Sequence, residues 1–157
     1  MAQARAYYDQ SHAVSDSRQK GQPTAANESK DVTPYLCADG AAEAIEFYRK
    51  AFGAEETFRM AEDDGRIGHA ELMIGASPVF ISDEAPELGV LSPKKLAGSA
   101  TSMVLKVGDA DAAFQRAIDA GATVQRPLSD EFYGRSGWLV DPFGHRWNIY
   151  KPAEDQA

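Results

Sequence analysis

The feature that most constrains this chain is a pattern that runs through it twice. Each pass reads as a short apolar run, an alanine-rich helical stretch ending in glycine, and then three further runs with strand character. In the first pass "VTPYLCA" has the texture of a strand. "DGAAEAIEFYRKAFGA" then sets Ala44, Ile45, Tyr48, Ala51 and Phe52 at helical spacing, with Asp39 read as the cap and Gly53 as the stop. "EETFRMAE", the Asp64-Gly65 turn, "RIGHAELMIG" and "VFISDE" follow as three antiparallel strands. The second pass begins at "TSMVLKV", continues through a helix with Asp109 near its start and Gly121 after its end, and closes with "TVQRPLSDEF", "GWLVD" and "HRWNIYK". A βαβββ unit used twice leaves each half with an apolar sheet face it cannot cover alone, so pairing the halves completes one core.

This organisation divides the chain of 157 residues into a polar arm over residues 1–31, a single domain over 32–152, and a tail over 153–157. The domain consists of modules 32–84 and 101–152 joined by a connector, 85–100, that carries two prolines and two glycines. The arm is rich in Gln, Ser, Ala and Asn, with too little apolar bulk to offset its ordering entropy, and is expected to be mobile. His12 within it reads as solvent-facing.

Charge narrows the partners. The formal net charge of −8 repels polyanions, so nucleic acid is a poor partner, and no run approaches the roughly 18 apolar residues a membrane span requires. The single cysteine, Cys37, has no intramolecular disulfide partner, and an apolar h-region is missing from the N-terminus; both features favour a cytoplasmic setting.

Three groups of residues carry candidate chemistry. His69 and Glu71 are two apart on one strand and share a face opposite Ala70, Leu72 and Ile74. They could hold an ion together with a further donor such as His145, or form a hydrogen-bonded polar wall. "DPFGHRW", Asp141–Trp147, has turn chemistry throughout and reads first as a hairpin, after which alternation sends Trp147 and Ile149 to one face and Arg146, Asn148 and Tyr150 to the other. "EFYGRSGWLV" gathers Tyr133, Arg135 and Trp138 on a stretch suited to the rim of a ligand site.

The doubled unit ending in "DPFGHRWNI" resembles the glyoxalase / bleomycin resistance / dioxygenase superfamily, also called the vicinal oxygen chelate superfamily. Its wording "TPYL" at Thr33–Leu36, "HAEL" at His69–Leu72, "SDE" at Ser82–Glu84 and "DPFGHRW" is similar to the PhnB-like branch, over about residues 32–152. The resemblance implies an α+β fold in which two βαβββ modules form a curved, mostly antiparallel eight-stranded sheet around a cup. It also implies a homodimer and a small-molecule ligand, but no particular reaction.

Metal-dependent relatives place His, Gln or Glu on the first, fourth, fifth and eighth strands. Carried over, those corners fall on Thr33, Ile81 or Ser82, Ser102 and Asn148, none of which suits a borderline divalent metal. No cofactor is therefore expected, although a divalent metal at a noncanonical site remains open. The first functional reading is a metal-independent binder of an antibiotic or metabolite, its cup lined by Tyr35, Ser102 and Asn148 and gated by Tyr133, Arg135 and Trp138. The second is a lyase, isomerase, group transferase or dioxygenase with Glu71 as general base and His69 tuning it.

Overall fold

The structure, a computed structural model, describes residues 32–154 and, in the preceding segment, the backbone of Gln19–Lys20. The arm and the last three residues otherwise lie outside the described residues. Gln19–Lys20 form a two-residue strand, β1, paired antiparallel with Arg59 and Met60.

The first module runs β2 (Tyr35–Ala38), α1 (Ala41–Phe52), β3 (Glu55–Ala61), β4 (Ile67–Ile74) and β5 (Ser77–Asp83). The second repeats it with β6 (Ser102–Lys106), α2 (Ala110–Asp119), β7 (Thr123–Glu131), β8 (Gly134–Val140) and β9 (Arg146–Pro152). Both expected βαβββ units are present. Their eight strands, with β1 added at one edge, divide into two sheets, ordered β1-β3-β4-β5-β2 and β6-β9-β8-β7. The first strand of each module pairs parallel with the last, β2 with β5 and β6 with β9, and every other pairing is antiparallel. β2 and β6 are thus each an edge strand of their sheet, with one ladder partner, β1 and β7 forming the opposite edges.

One apolar cluster spans both modules. Ala44, Ile45, Tyr48 and Ala51 from α1 join Leu36, Ala70, Leu72 and Ile81 from the first sheet, Ala113 and Phe114 from α2, and Leu139, Trp147 and Ile149 from the second sheet. Trp147 packs beneath α1 as its alternation predicts, its ring centroid 4.6 Å from that of Phe52 and 5.5 Å from that of Tyr48. Gly137 makes room for α2 on β8, because a Cβ there would stand 2.7 Å from the Phe114 ring.

The start of α1 differs from the sequence expectation. Its N-cap position is Gly40, in the left-handed region at φ 91°, and Asp39 makes no cap. The acceptor comes from β5 instead. Asp83 Oδ1 receives the backbone N–H groups of Gly40 and Ala41 at 3.1 and 2.8 Å, and Oδ2 receives that of Ile67 at 2.7 Å. One carboxylate thereby answers the orphan donors of a helix start and ties the helix to its sheet. Asp109 caps α2 as expected, accepting from the Ala112 N–H at 3.0 Å.

Candidate functional site

The cup-facing side of the first sheet follows from period-2 alternation. Leu36, Ala38, Ala70, Leu72 and Ile81 point to the helices and are buried, so their neighbours project from the other face. Cross-strand register then sets Phe58 opposite Glu71, Glu71 opposite Phe80, and Phe80 opposite Tyr35. The outcome is one lateral row over four strands, Phe58–Glu71–Phe80–Tyr35. His69 stands one step up, opposite Met60, with its ring centroid 5.3 Å from Tyr35, 5.1 Å from Phe80 and 6.0 Å from Phe58.

The Tyr35 hydroxyl and His69 Nδ1 are 2.7 Å apart, and His69 Nε2 lies 3.5 Å from Glu71 Oε1. Glu71 Oε2 is buried with no hydrogen-bond partner among the described residues. Sequence reasoning found His69, Glu71 and Tyr35 but missed Phe58 and Phe80. Phe80 was legible, since it alternates with Val79 and Ile81; Phe58 was not, because a register shift between Glu56 and Phe58 breaks the alternation of β3.

Tyr35 also joins two openings near β2. A cavity of about 360 Å³ lies on one side, lined by Tyr35, Cys37, Arg66, Ser82, Glu84 and Leu88 among others. A larger one of about 580 Å³ separates the two edge strands, with Tyr35 and Cys37 from β2, Ser102 and Met103 from β6, and His145 and Arg146 from the last hairpin in its wall. Burial and the nearby carboxylates of Glu84 and Asp83 push the Cys37 thiol up to about 11, so it stays protonated and poorly nucleophilic at neutral pH.

The second sheet presents Ser102, Val104, Ser136, Trp138, Arg146, Asn148 and Tyr150 on its corresponding face, by the registers of β6, β8 and β9. Asn148 is buried, and its amide donates to Ser136 Oγ at 2.8 Å and to the Gly137 carbonyl at 3.2 Å. Trp138 stacks under Arg146, whose guanidinium lies 4.9 Å from the ring centroid. Arg146 therefore carries Trp138 to the cavity edge, a role the sequence did not single out.

Arg135 is placed differently from the sequence expectation. β8 alternation turns it to the helix side, away from Trp138, where it makes two bonds of 2.7 Å to Asp111 and one of 3.0 Å to Asp130. Tyr133 sits at the β7–β8 turn, and its carbonyl accepts from the Tyr150 hydroxyl at 3.1 Å. The three residues Tyr133, Arg135 and Trp138 do not form one rim, because they lie on a hairpin whose successive side chains alternate faces.

The "DPFGHRW" hairpin is a structural device. Asp141 Oδ1 accepts the backbone N–H groups of Phe143 and His145, both at 2.9 Å, and Oδ2 accepts the Tyr48 hydroxyl at 2.7 Å and the Trp147 indole N–H at 2.9 Å. Burial, the Asp141 charge and the hydrogen bond to it hold the Tyr48 phenol well above its usual range. His145 Nε2 lies 3.0 Å from the Cys37 carbonyl, linking the modules, and burial lowers its pKa, with Asp141 opposing.

Fit for a metal can be judged from the donors themselves. At the four corners, Ile81 is in the core, Asn148 is committed to Ser136 and Gly137, and Thr33, Ser82 and Ser102 offer only neutral hydroxyls. This set does not fit a borderline divalent ion, which requires imidazole, thiolate or carboxylate. Among the described residues, no three of His, Cys, Asp and Glu converge as a ligand group.

Two βαβββ modules share one core, with a cavity between their first strands. The family model described as Glyoxalase/Bleomycin resistance protein/Dioxygenase superfamily matches residues 32–149, and the chain belongs to that superfamily. It is 40% identical over 142 residues to an uncharacterized Mycobacterium tuberculosis protein, Rv0887c, covering 88% of this chain and 84% of the relative. An Arabidopsis thaliana protein, At5g48480, is 33% identical over 113 residues, covering 67% of this chain and 68% of the relative. The crystal structure of that gene product superimposes with a TM-score of 0.63 over 79% of this chain and 98% of its own. TioX from Micromonospora sp. ML1 gives 0.60 at 27% identity, covering 79% of this chain and 97% of its own. A PhnB protein from Bacillus cereus shares the fold, with a TM-score of 0.62 at 20% identity over 78% of this chain and 99% of its own.

Proposed function

We propose that the protein binds a small molecule in the cavity between β2 and β6, without the chelated ion used by metal-dependent relatives. The observation that carries this reading is the cavity of about 580 Å³ itself, in the range of small-molecule sites, at a module boundary whose corners bear neutral side chains. Tyr35, Met103 and Leu96 supply apolar wall, while Ser102 and Arg146 supply polar points for orienting a ligand. Trp138, held under Arg146, extends the planar surface at the rim.

The reading includes a homodimer, supported by large apolar side chains at the surface such as Val104, 65% exposed on the cup side of β6. Light scattering on the purified protein tests that part. A second reading, in which Glu71 acts as general base, is favoured by the Tyr35–His69–Glu71 alignment alone. The two are separated by elemental analysis of protein purified without added metal, followed by a thermal-shift screen of divalent ions and antibiotics. Stabilisation by an organic compound with no bound ion, abolished by Ser102→Trp, is the expected result. Stoichiometric zinc, nickel or iron that is lost on His69→Ala would overturn it.

A further inference from the structure

Glu71 poses a problem that its surroundings do not solve. Its side chain is only 12% exposed, and among the described residues Oε2 has no partner. The basic group paired with it, His69 Nε2, stands 3.5 Å from Oε1, beyond the usual N–H···O range. Buried carboxylates are paired or hydrogen-bonded as a rule, since removing one from water is costly, so an orphan oxygen asks for a donor that the described residues do not supply.

The neighbours indicate what kind of donor. Glu71 is flanked in its row by Phe58 on one side and Phe80 on the other, with Tyr35 beyond and the His69 ring one step up. Aromatic faces attract cations, and a carboxylate binds N⁺–H donors more strongly than neutral ones. An anionic group would meet both this carboxylate and the net charge of −8, so it is disfavoured on two counts. The row ends at Tyr35, which is 55% exposed and lines both cavities, so its open end adjoins them.

We propose that the Phe58–Glu71–Phe80–Tyr35 row recognises an organic cation of the planar amidinium or guanidinium type, with its N–H groups on the Glu71 carboxylate and its plane against the rings. This deepens the small-molecule reading, on which it rests, by assigning the ligand a charged, planar end. The flat fork of an amidinium suits a carboxylate bidentately, and the freed Oε2 is the second acceptor that such a fork requires.

Isothermal titration of the full chain with benzamidine and with its neutral isostere benzamide is the test, on wild type, Glu71→Gln, Phe58→Leu and Ser102→Trp. Wild type is expected to bind benzamidine about tenfold or more tightly than benzamide, a difference equal to about 1.4 kcal/mol. Glu71→Gln should remove that preference. Phe58→Leu, which keeps bulk but loses the ring, should weaken benzamidine by roughly threefold to tenfold, and it decides the matter if Glu71→Gln does not fold. Ser102→Trp fills the larger cavity and should leave the benzamidine preference in place. Equal binding of both probes, no binding of benzamidine, or unchanged preference in Glu71→Gln would overturn the cation site. Loss of screened ligands in Ser102→Trp, with no benzamidine preference in wild type, would overturn it while leaving the cavity reading intact.

Discussion

Replacing Asp141 with Asn tests how the two modules are held together. The carboxylate is 4% exposed and accepts four hydrogen bonds, two from the backbone of its own turn and two from side chains, Tyr48 on α1 and Trp147 on β9. An amide of the same shape keeps one accepting oxygen. Whichever way it is flipped, its NH2 faces two donors, either the Phe143 and His145 N–H groups or the Tyr48 hydroxyl and Trp147 indole. Two bonds to a charged acceptor are lost, each contributing roughly 1.5–3 kcal/mol, and the hydroxyl can turn away where the indole and backbone cannot. The expected loss is about 3–5 kcal/mol, a large share of the roughly 5–15 kcal/mol that stabilises an ordinary domain. At roughly 2–4 °C per kcal/mol for this size, the melting temperature should fall by on the order of 10 °C. Urea unfolding followed by circular dichroism supplies the free energy, with the slope showing whether the transition stays cooperative. Tyr48→Phe removes one of the four donors without introducing a new one and should cost about half as much or less. A loss below about 1 kcal/mol for Asp141→Asn, with an unchanged slope, would refute the view that this carboxylate joins the modules.

Other perturbations probe the remaining devices. Asp83→Ala strands the N–H groups of Gly40, Ala41 and Ile67 and should cost about 2 kcal/mol or more, read by urea unfolding, whereas Asp39→Ala should be nearly neutral. His145 has a folded pKa below its ordinary 6.5, so its contribution is present above that value and lost as pH falls through the window beneath it; the urea midpoint should drop between pH 7 and 5, and less so in His145→Gln. Cys37, with its thiol near 11, should react with iodoacetamide far more slowly at pH 8 in the native protein than in urea. Arg135→Ala should leave ligand affinity unchanged within twofold by titration, because its guanidinium is committed to Asp111 and Asp130 on the helix side.

The fold was legible because both of its periods are strong. Ala44, Ile45, Tyr48 and Ala51 announce a helix face, and the alternation in "HAELMI" separates His69 and Glu71 from Ala70, Leu72 and Ile74, as the structure has them. Long-range partners were not legible. Asp83 reaches a helix start more than forty residues earlier in the chain, a pairing that exists only once β5 lies beside β2, and the adjacent Asp39 was the natural local candidate. Arg135 shows the same limit. Its distance in sequence from Trp138 is odd, which already puts the two on opposite faces of a strand, yet reading the stretch as the rim of a ligand site hid that parity.

The motifs that point to the superfamily and the residues proposed to face a ligand overlap only in part. Asp83 of "SDE" caps α1, and Glu84 accepts from the Ser92 N–H at 2.8 Å to pin the connector. Asp141, His145 and Trp147 of "DPFGHRW" are spent on the module junction. The geometry of two of them is demanding: Asp83 meets three donors and Asp141 four, drawn from more than one element at once. Phe58, Phe80 and Ser102 lie outside those motifs, whereas Tyr35 belongs to "TPYL" and Arg146 to "DPFGHRW". Glu71 sits in "HAEL", yet among the described residues one of its oxygens has no hydrogen-bond partner. A carboxylate kept for folding would be expected to have both oxygens answered, as those of Asp83 and Asp141 are, and this contrast is why Glu71 belongs with the ligand-facing set.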